Sequence, residues 1–354
     1  MGPLAALDAA VAWLDRIDPG AHRRVKGLRL VTAFGIAALM GALPEIAGGF
    51  PHPEALSPLA GGIALWSSVS EGRVTRRDSA RDLVLLAAAA AAGAGITAGF
   101  SPLLARLGPT APEAVLVLGA FLVSYLRRFG PLGGGMGSLA YIGQLLAYGL
   151  ALGPADLPMI GMAALVAALS AVVPRLLSGP AERPAPPPPQ PSAVAAPRLG
   201  LSPELVMGLQ GALSAAVIVA LTGRFGLEQS FWAITASTYV VASTASATIT
   251  RARHRVVGTL VGVPLGLACL PIAFHVPALI WFAAALAMVV FAMATPERYD
   301  IASGAFAFTL IVTLAVGGEH SISHLAARVW ETALGGLLGL AAATLVLPLR
   351  PKPG

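Results

Sequence analysis

The chain has 354 residues, of which 56% are hydrophobic and 11% are charged, and its mean hydropathy is +0.78. So few polar side chains could not cover the surface of a soluble fold, so the composition excludes an ordinary soluble enzyme and predicts an all-α polytopic membrane protein. The net charge of +6 does not indicate nucleic-acid binding, because the basic residues form short clusters between apolar segments rather than one continuous face.

The N-terminal segment, residues 1–24, carries apolar side chains at helical spacing, but Asp8, Asp15 and Asp18 interrupt them. A secretory signal needs a continuous apolar region, so this segment instead predicts an amphipathic helix on the cytoplasmic face of the membrane. The basic residues at 22–29 then favour a cytoplasmic start for the first membrane span.

About twelve apolar segments follow, and a helix needs about 20 residues to cross a hydrocarbon core of roughly 30 Å. A Pro-rich linker at 178–200 divides them into a first six-helix bundle, 25–177, and a second, 201–348. The spans are predicted at 28–47, 56–70, 82–105, 112–126, 135–153 and 157–174, and then at 205–223, 230–249, 256–273, 277–294, 301–317 and 326–347.

The basic residues predict the orientation of these spans. With both termini in the cytoplasm, 20 of the 23 Lys and Arg residues lie on the cytoplasmic side, as expected for a multi-pass protein of a bacterial inner membrane. The pairs Arg77 and Arg81, and Arg251 and Arg255, recur at equivalent places in the two halves. Because each half has an even number of spans, the halves are predicted to be internal repeats in parallel orientation.

The stretch 231–267 has the strongest pattern in the second half. An aromatic pair is followed by about twenty uncharged residues, by a basic cluster at Arg251, Arg253, His254 and Arg255, and by a further apolar run. This pattern predicts a hairpin of two membrane helices with a cytoplasmic turn at the basic cluster.

Hydroxyl side chains are dense on the first helix of this hairpin. At about 100° per residue, one side of that helix carries Thr235, Thr238, Tyr239 and Ser246. These side chains, together with Gln210 inside another span, either line a substrate pathway or serve helix packing and interhelical hydrogen bonds. Gly258, Gly262 and Gly266 recur every four residues and favour close helix packing.

Two pairs of charged residues and one further aspartate are candidates for function. Arg251 and Arg255 either attract an anionic substrate or act only as cytoplasmic anchors. Arg328 and Glu331, three residues apart near the outer end of the last span, either face a cavity or form a salt bridge at the interface. Asp300 either exchanges protons with the cytoplasm or caps a helix.

The second half, over about 205–348, resembles the fusaric acid resistance (FUSC) family, which includes the aromatic acid exporters. The resemblance rests on the stretch RARHRVVGTLVGVPLGL and on RVWETALGGLLGLAAATLVLP near the C-terminus. It implies export of organic acids, often aromatic and toxic, across the bacterial inner membrane. Family members commonly carry a cytoplasmic domain between two six-helix bundles, and here only the linker stands in its place.

Three functions remain open: a proton-driven secondary exporter of organic carboxylic acids, an organic-anion channel resembling plant malate channels, and a membrane scaffold that transports nothing. No nucleotide-binding or hydrolase motif occurs and Cys269 is the single cysteine, so no enzyme, cofactor or metal site is expected. The expected partners are the lipid bilayer and a small organic anion. A second copy of the chain and a periplasmic adaptor protein are further candidates, and nucleic acid is not.

Overall fold

A computed structural model describes residues 12–73, 75–108, 110–178, 200–227, 229–316 and 321–349. Within these ranges the chain is helical and contains no β-strand, as the composition predicts. Residues 12–17 of the predicted N-terminal segment are helical, whereas its residues 1–11 and residues 179–199 of the linker lie outside the described residues.

Twelve helices of ten residues or more occur in the described part of the chain; eleven overlap one predicted span each, and Ala245–Ala268 overlaps the two spans predicted at 230–249 and 256–273. The first half holds α1 (His22–Ala42), α2 (Pro53–Ser70), α3 (Arg76–Ala105), α4 (Val115–Tyr125), α5 (Gly130–Gly149) and α6 (Leu157–Leu177). The second half holds α7 (Pro203–Phe225), α8 (Phe231–Val240), α9 (Ala245–Ala268), α10 (Pro277–Ala294), α11 (Tyr299–Val316) and α12 (Ile322–Leu345). Short helices at Pro44–Ala47 and Leu270–His275 follow α1 and α9.

Several of these helices are suited to a bilayer by length and apolar composition. Seven segments of the described chain meet both conditions: His22–Ala42, Arg76–Ala105, Ala111–Gly149, Pro154–Leu177, Pro203–Phe225, Ala245–Ile272 and Pro277–Ala294. The protein is therefore a multi-pass membrane protein. The count of twelve crossings stays a prediction, since α8 with 10 residues and α4 with 11 are each too short to cross alone.

Three pairs of helices at corresponding places in the two halves are in contact in both halves. In the first half α3 packs against α5 and α6, and α4 against α5; in the second half α9 packs against α11 and α12, and α10 against α11. Between the halves, α4 packs against α7 and α1 against α10. These two contacts form the main interface between the halves.

Glycines let α9 and α11 approach closely. A Cβ atom on Gly262 would lie 2.2 Å from the carbonyl oxygen of Gly304, and one on Gly258 would lie 2.4 Å from that of Asp300. A side chain at either position would overlap the neighbouring backbone. The predicted packing role of the glycine stripe is thus confirmed.

The helix pair around the basic cluster differs from the prediction. α8 ends at Val240, residues 241–244 are not helical, and α9 begins at Ala245, so the basic cluster lies inside α9 and not in a turn. The side chain of Thr244 accepts the backbone N–H of Ala247 at 3.2 Å and caps α9. The hydroxyl of Thr248 accepts the N–H of Ala242 at 3.0 Å.

These two hydroxyl groups accept hydrogen bonds from backbone N–H groups that would otherwise lack partners at residues 241–244. The contacts stabilise the break between α8 and α9, which the spacing of apolar residues does not predict. The break also separates the predicted hydroxyl face. Ser246 belongs to α9, whereas Thr235, Thr238 and Tyr239 belong to α8, so the four side chains do not share one side of one helix.

Candidate functional site

A small cavity lies between α9, α11 and α12 in the second half. Its lining combines two arginines, three hydroxyl side chains and apolar groups: Arg255, Thr259, Val263, Ser303, Phe306, Ala307, Arg328 and Thr332. The space open to the centre of a water-sized sphere is about 20 Å³. That is room for one or two water molecules, so an organic anion enters only if these helices move apart.

Arg328 supplies the most buried positive charge of this cavity. Its residue is 6% exposed, and its guanidinium carbon lies 3.2 Å from the centroid of the Trp232 ring. The Nη1 atom is buried and has no hydrogen-bond partner among the described residues. A buried guanidinium with an unused donor is costly in an apolar setting, so this group is suited to an anionic ligand.

Arg255 reaches the same cavity from α9. Its Nη1 donates a hydrogen bond of 3.0 Å to the Tyr299 hydroxyl, and its Nε is buried without a partner in the described chain. Arg251, one turn earlier, is exposed. The two arginines predicted to act together in one turn therefore occupy different environments on α9, since Arg255 lines the cavity and Arg251 is exposed.

A serine in the cavity lining connects two of the helices. The Ser303 hydroxyl of α11 lies 3.1 Å from the carbonyl oxygens of His254 and of Asp300, which ties α11 to α9 beside Arg255.

Glu331 is fully buried on α12, three residues after Arg328. Two guanidinium groups with free N–H donors can hold one carboxylate, because their planar forks match its two oxygens.

Aromatic rings adjoin the charged groups. Phe306, which lines the cavity, packs edge-on against Trp66 of α2 with 5.4 Å between ring centroids, and Phe291 of α10 lies 6.4 Å from Phe306. Trp232 contacts Arg328 but is not among the residues that line the cavity. Phe306 supplies the aromatic surface of the lining, which suits the apolar part of an aromatic acid.

The predicted pathway residues on α8 face another helix. Thr235 shares a hydrogen bond of 2.8 Å with the Tyr141 hydroxyl of α5, and the Tyr239 ring lies 6.0 Å from the Tyr141 ring. Thr238 donates to the carbonyl of Ile234 at 2.7 Å. These side chains serve the contact between the halves and do not line the cavity.

The remaining predicted residues are also apart from the cavity lining. Gln210 donates from Nε2 to the Val346 carbonyl at 2.7 Å, the interhelical hydrogen bond that was one of its two expected roles. Ser246 is exposed. The Asp300 carboxylate is held by Arg298 at 2.9 Å, and this contact lowers the pKa of Asp300 to about 2. A carboxylate that stays ionised near neutral pH is poorly suited to carry protons.

Sequence reasoning missed Thr259, Ser303, Phe306 and Thr332 as lining of this cavity, and Trp232 as the ring partner of Arg328. One signal was present: Thr259 follows Arg255, and Thr332 follows Arg328, by four residues in each case. Residues four apart share a helix face, so each arginine carries a hydroxyl on the same side. The contributions of Ser303, Phe306 and Trp232 come from packing between helices that are distant in sequence.

The family model described as fusaric acid resistance protein-like matches residues 214–342. This range contains every residue of the cavity lining, and it confirms the resemblance over that part of the chain. No curated protein sequence and no solved structure gave a match. The matched region and the apolar helices together indicate a multi-pass membrane protein of a transporter type.

Proposed function

We propose that the protein is a secondary transporter that exports organic, in particular aromatic, carboxylic acids across a bacterial inner membrane and is driven by the proton gradient. The observation that carries this proposal is the pairing of Arg255 and Arg328 in one cavity, where each keeps a buried N–H donor without a partner among the described residues.

The charge of these groups supports an anionic substrate. A guanidinium stays protonated at any working pH, and each hydrogen bond from a charged donor contributes about 1.5–3 kcal/mol in a protected site. Thr259 and Thr332 add hydroxyl donors on the same faces. The ring of Phe306 in the lining supports an aromatic body for that substrate.

The repeated helix pairing supports a mechanism by rearrangement. If the two halves are parallel six-helix repeats with both termini in the cytoplasm, they can rock against each other at the contacts of α1 with α10 and α4 with α7. A cavity with room for only a few water molecules fits an occluded conformation in such a cycle.

Transport by the purified full-length chain in sealed lipid vesicles tests this function. The vesicles are loaded with radiolabelled phthalate, an aromatic dicarboxylate that crosses bare lipid slowly because both charges would have to enter hydrocarbon. A dye in the lumen reports its pH. We expect acid outside to accelerate phthalate efflux, with protons entering the lumen in exchange.

Two other outcomes would contradict the proposal and identify the alternatives. Efflux that follows an imposed membrane potential and ignores the pH gradient would indicate an organic-anion channel. Efflux no faster than from protein-free vesicles, together with no exchange of labelled for unlabelled phthalate, would favour a scaffold.

A further inference from the structure

A buried carboxylate joins the two halves on the predicted outer side of the membrane. Glu113, in the turn Ala111–Ala114 before α4, is 6% exposed. One of its oxygens accepts a hydrogen bond of 3.0 Å from the Tyr148 hydroxyl of α5, and the other accepts one of 2.6 Å from the Ser230 hydroxyl at the start of α8. The carboxylate therefore bridges residues from both halves.

No cation neutralises this carboxylate within the described residues. The charged groups at this end of the elements packed against the turn are Arg106 and Arg224, which are both exposed, and Tyr148 is the other titratable group. Glu228 lies outside the described residues. Carboxylates buried in a membrane protein without a cation are costly, and they mark proton or ion pathways more often than structural sites.

Ser230 connects this carboxylate to the cavity. It occupies the N-cap position of α8, but its hydroxyl does not cap the helix and instead donates to Glu113. Two residues later, Trp232 stacks on the guanidinium of Arg328. A change at the Glu113–Ser230 contact therefore acts on the first turn of the helix that holds Arg328 in place.

We propose that Glu113 is the proton-exchange group that couples proton movement to the Arg255–Arg328 cavity, an inference that rests on the proposed transport function. The ionised carboxylate accepts two hydrogen bonds and holds the halves together. When a proton from the outer aqueous phase binds one carboxylate oxygen, that oxygen becomes a donor, and the hydroxyl that donated to it must turn away or reverse its role.

The reversal loosens the start of α8, and Trp232 transmits the change to Arg328. Release of the proton restores the two accepted hydrogen bonds. In this scheme no covalent bond other than O–H forms or breaks, and the coupling requires only two arrangements of one hydrogen-bonded contact between the halves.

The test compares Glu113→Gln with Glu54→Gln in the phthalate vesicles. Gln keeps the size of the side chain and removes its charge, and Glu54 is an exposed carboxylate predicted to lie on the same side. We expect Glu113→Gln to lower gradient-driven efflux at least tenfold, while exchange of labelled for unlabelled phthalate at equal pH stays within twofold of the parent. Glu54→Gln should leave both rates unchanged.

Infrared difference spectra after a pH jump give a second readout that needs no substrate. The parent should show the carbonyl band of a buried protonated carboxyl group, and Glu113→Gln should lack it. Ser230→Ala, which keeps Glu113, should shift the frequency of this band, because the carboxyl group loses one of its two hydrogen-bond partners. The Ser230→Ala variant therefore also tests the role of Glu113 if Glu113→Gln fails to fold.

The outcomes separate the two proposals. Gradient-driven efflux that survives in Glu113→Gln, a band that persists in that variant, or a band unmoved in Ser230→Ala would overturn the role of Glu113 and leave the transport function standing. If the parent moves no phthalate but the band is present and is lost in Glu113→Gln, the transport function fails and Glu113 is still a proton-binding site.

Discussion

The guanidinium of Arg328 on α12 lies over the indole of Trp232 on α8, with 3.2 Å between the guanidinium carbon and the ring centroid. The contact joins the most buried arginine of the cavity to the helix whose first turn contacts Glu113. A cation over an aromatic face contributes about 2 kcal/mol or more when both groups are desolvated. The indole therefore holds the guanidinium in place without using its hydrogen-bond donors.

Replacing Trp232 tests this positioning. We expect Trp232→Leu to raise the half-saturating phthalate concentration several-fold and to lower the midpoint of thermal unfolding, because Arg328 loses its ring partner. Trp232→Phe keeps a smaller ring, so its half-saturating concentration and its unfolding midpoint should lie between those of the parent and of Trp232→Leu. Trp330→Leu is the matched control, since Trp330 is 43% exposed on the same helix as Arg328. Equal half-saturation in the parent and Trp232→Leu would contradict a positioning role.

A second prediction concerns the contact between α9 and α11. Gly262→Ala places a Cβ atom 2.2 Å from the Gly304 carbonyl oxygen, so the helices must separate, at a cost of about 1–3 kcal/mol in stability. Gly161→Ala in α6 is the control, because a Cβ there meets no atom within 4 Å. Thermal unfolding in detergent should show a lower midpoint for the first variant only. A Gly262→Ala protein as stable as the parent would show that α9 and α11 are not closely packed at Gly262.

The bounds of α10 and the position of the break before α9 show what sequence can and cannot predict in this chain. Apolar length predicted α10 with the bounds 277–294 that the structure has, because a long uncharged run has few alternatives in a membrane. The turn was predicted about ten residues too late, because charge was used to place it, whereas the helix breaks where Thr244 and Thr248 capture backbone N–H groups.

The cavity could be predicted only in part for a related reason. Arg328 stands out in sequence because charges inside apolar spans are rare, and Arg255 stands out as part of a basic cluster between two spans. Nothing in the local pattern brings Ser303, Phe306 and Trp232 to them, since these residues meet through packing of three separate helices. Glu113 was missed because it lies at the edge of a predicted span. A stripe of Tyr141, Gln144 and Tyr148 on the facing helix was the available signal.

A third prediction concerns pH. His52 Nδ1, before α2, lies 2.9 Å from the Asp156 carboxylate, and this hydrogen bond raises the pKa of His52 above its ordinary value of about 6.5. A raised pKa in the folded state stabilises the fold below that ordinary value, and the stabilisation is lost as the pH rises through the folded-state pKa.

The corresponding experiment measures thermal unfolding of the parent and of His52→Gln at pH values below and above the ordinary pKa of histidine. The parent should unfold at a higher temperature than the variant under acid conditions, and the two should converge at alkaline pH. His275→Gln serves as the control, because the His275 imidazole bonds the Pro271 carbonyl of its own short helix. A parent-to-variant difference that grows with rising pH would show that the sign is wrong.

A fourth prediction concerns orientation. In a Cys269→Ser background, a cysteine at position 195 in the linker should react only with reagents that reach the cytoplasm, because Arg175, Arg183 and Arg198 flank it. A cysteine replacing Glu54 should react from outside. Labelling of intact cells with a membrane-impermeant maleimide makes the comparison, and the reversed pattern would invert every predicted span.

The last prediction separates two arginines that the sequence places in one cluster. Arg255 lines the cavity with a buried Nε, whereas Arg251, one turn earlier on α9, is exposed. If the cavity recognises the carboxylate, Arg255→Gln should raise the half-saturating phthalate concentration about tenfold or more, the equivalent of a charge-assisted hydrogen bond of about 1.5–3 kcal/mol. This effect should persist at high salt, because mobile ions screen a buried site poorly.

Arg251→Gln should behave differently. An exposed charge contributes about 1 kcal/mol or less, so the half-saturating concentration should rise only a few-fold at low salt, and the rise should vanish at high salt. Transport must be normalised to inserted protein, since a pure anchoring role would lower membrane abundance and leave the half-saturation unchanged. If Arg255→Gln shows no change while Arg251→Gln does, the anion is collected at the surface of α9, and the cavity between α9, α11 and α12 does not recognise it.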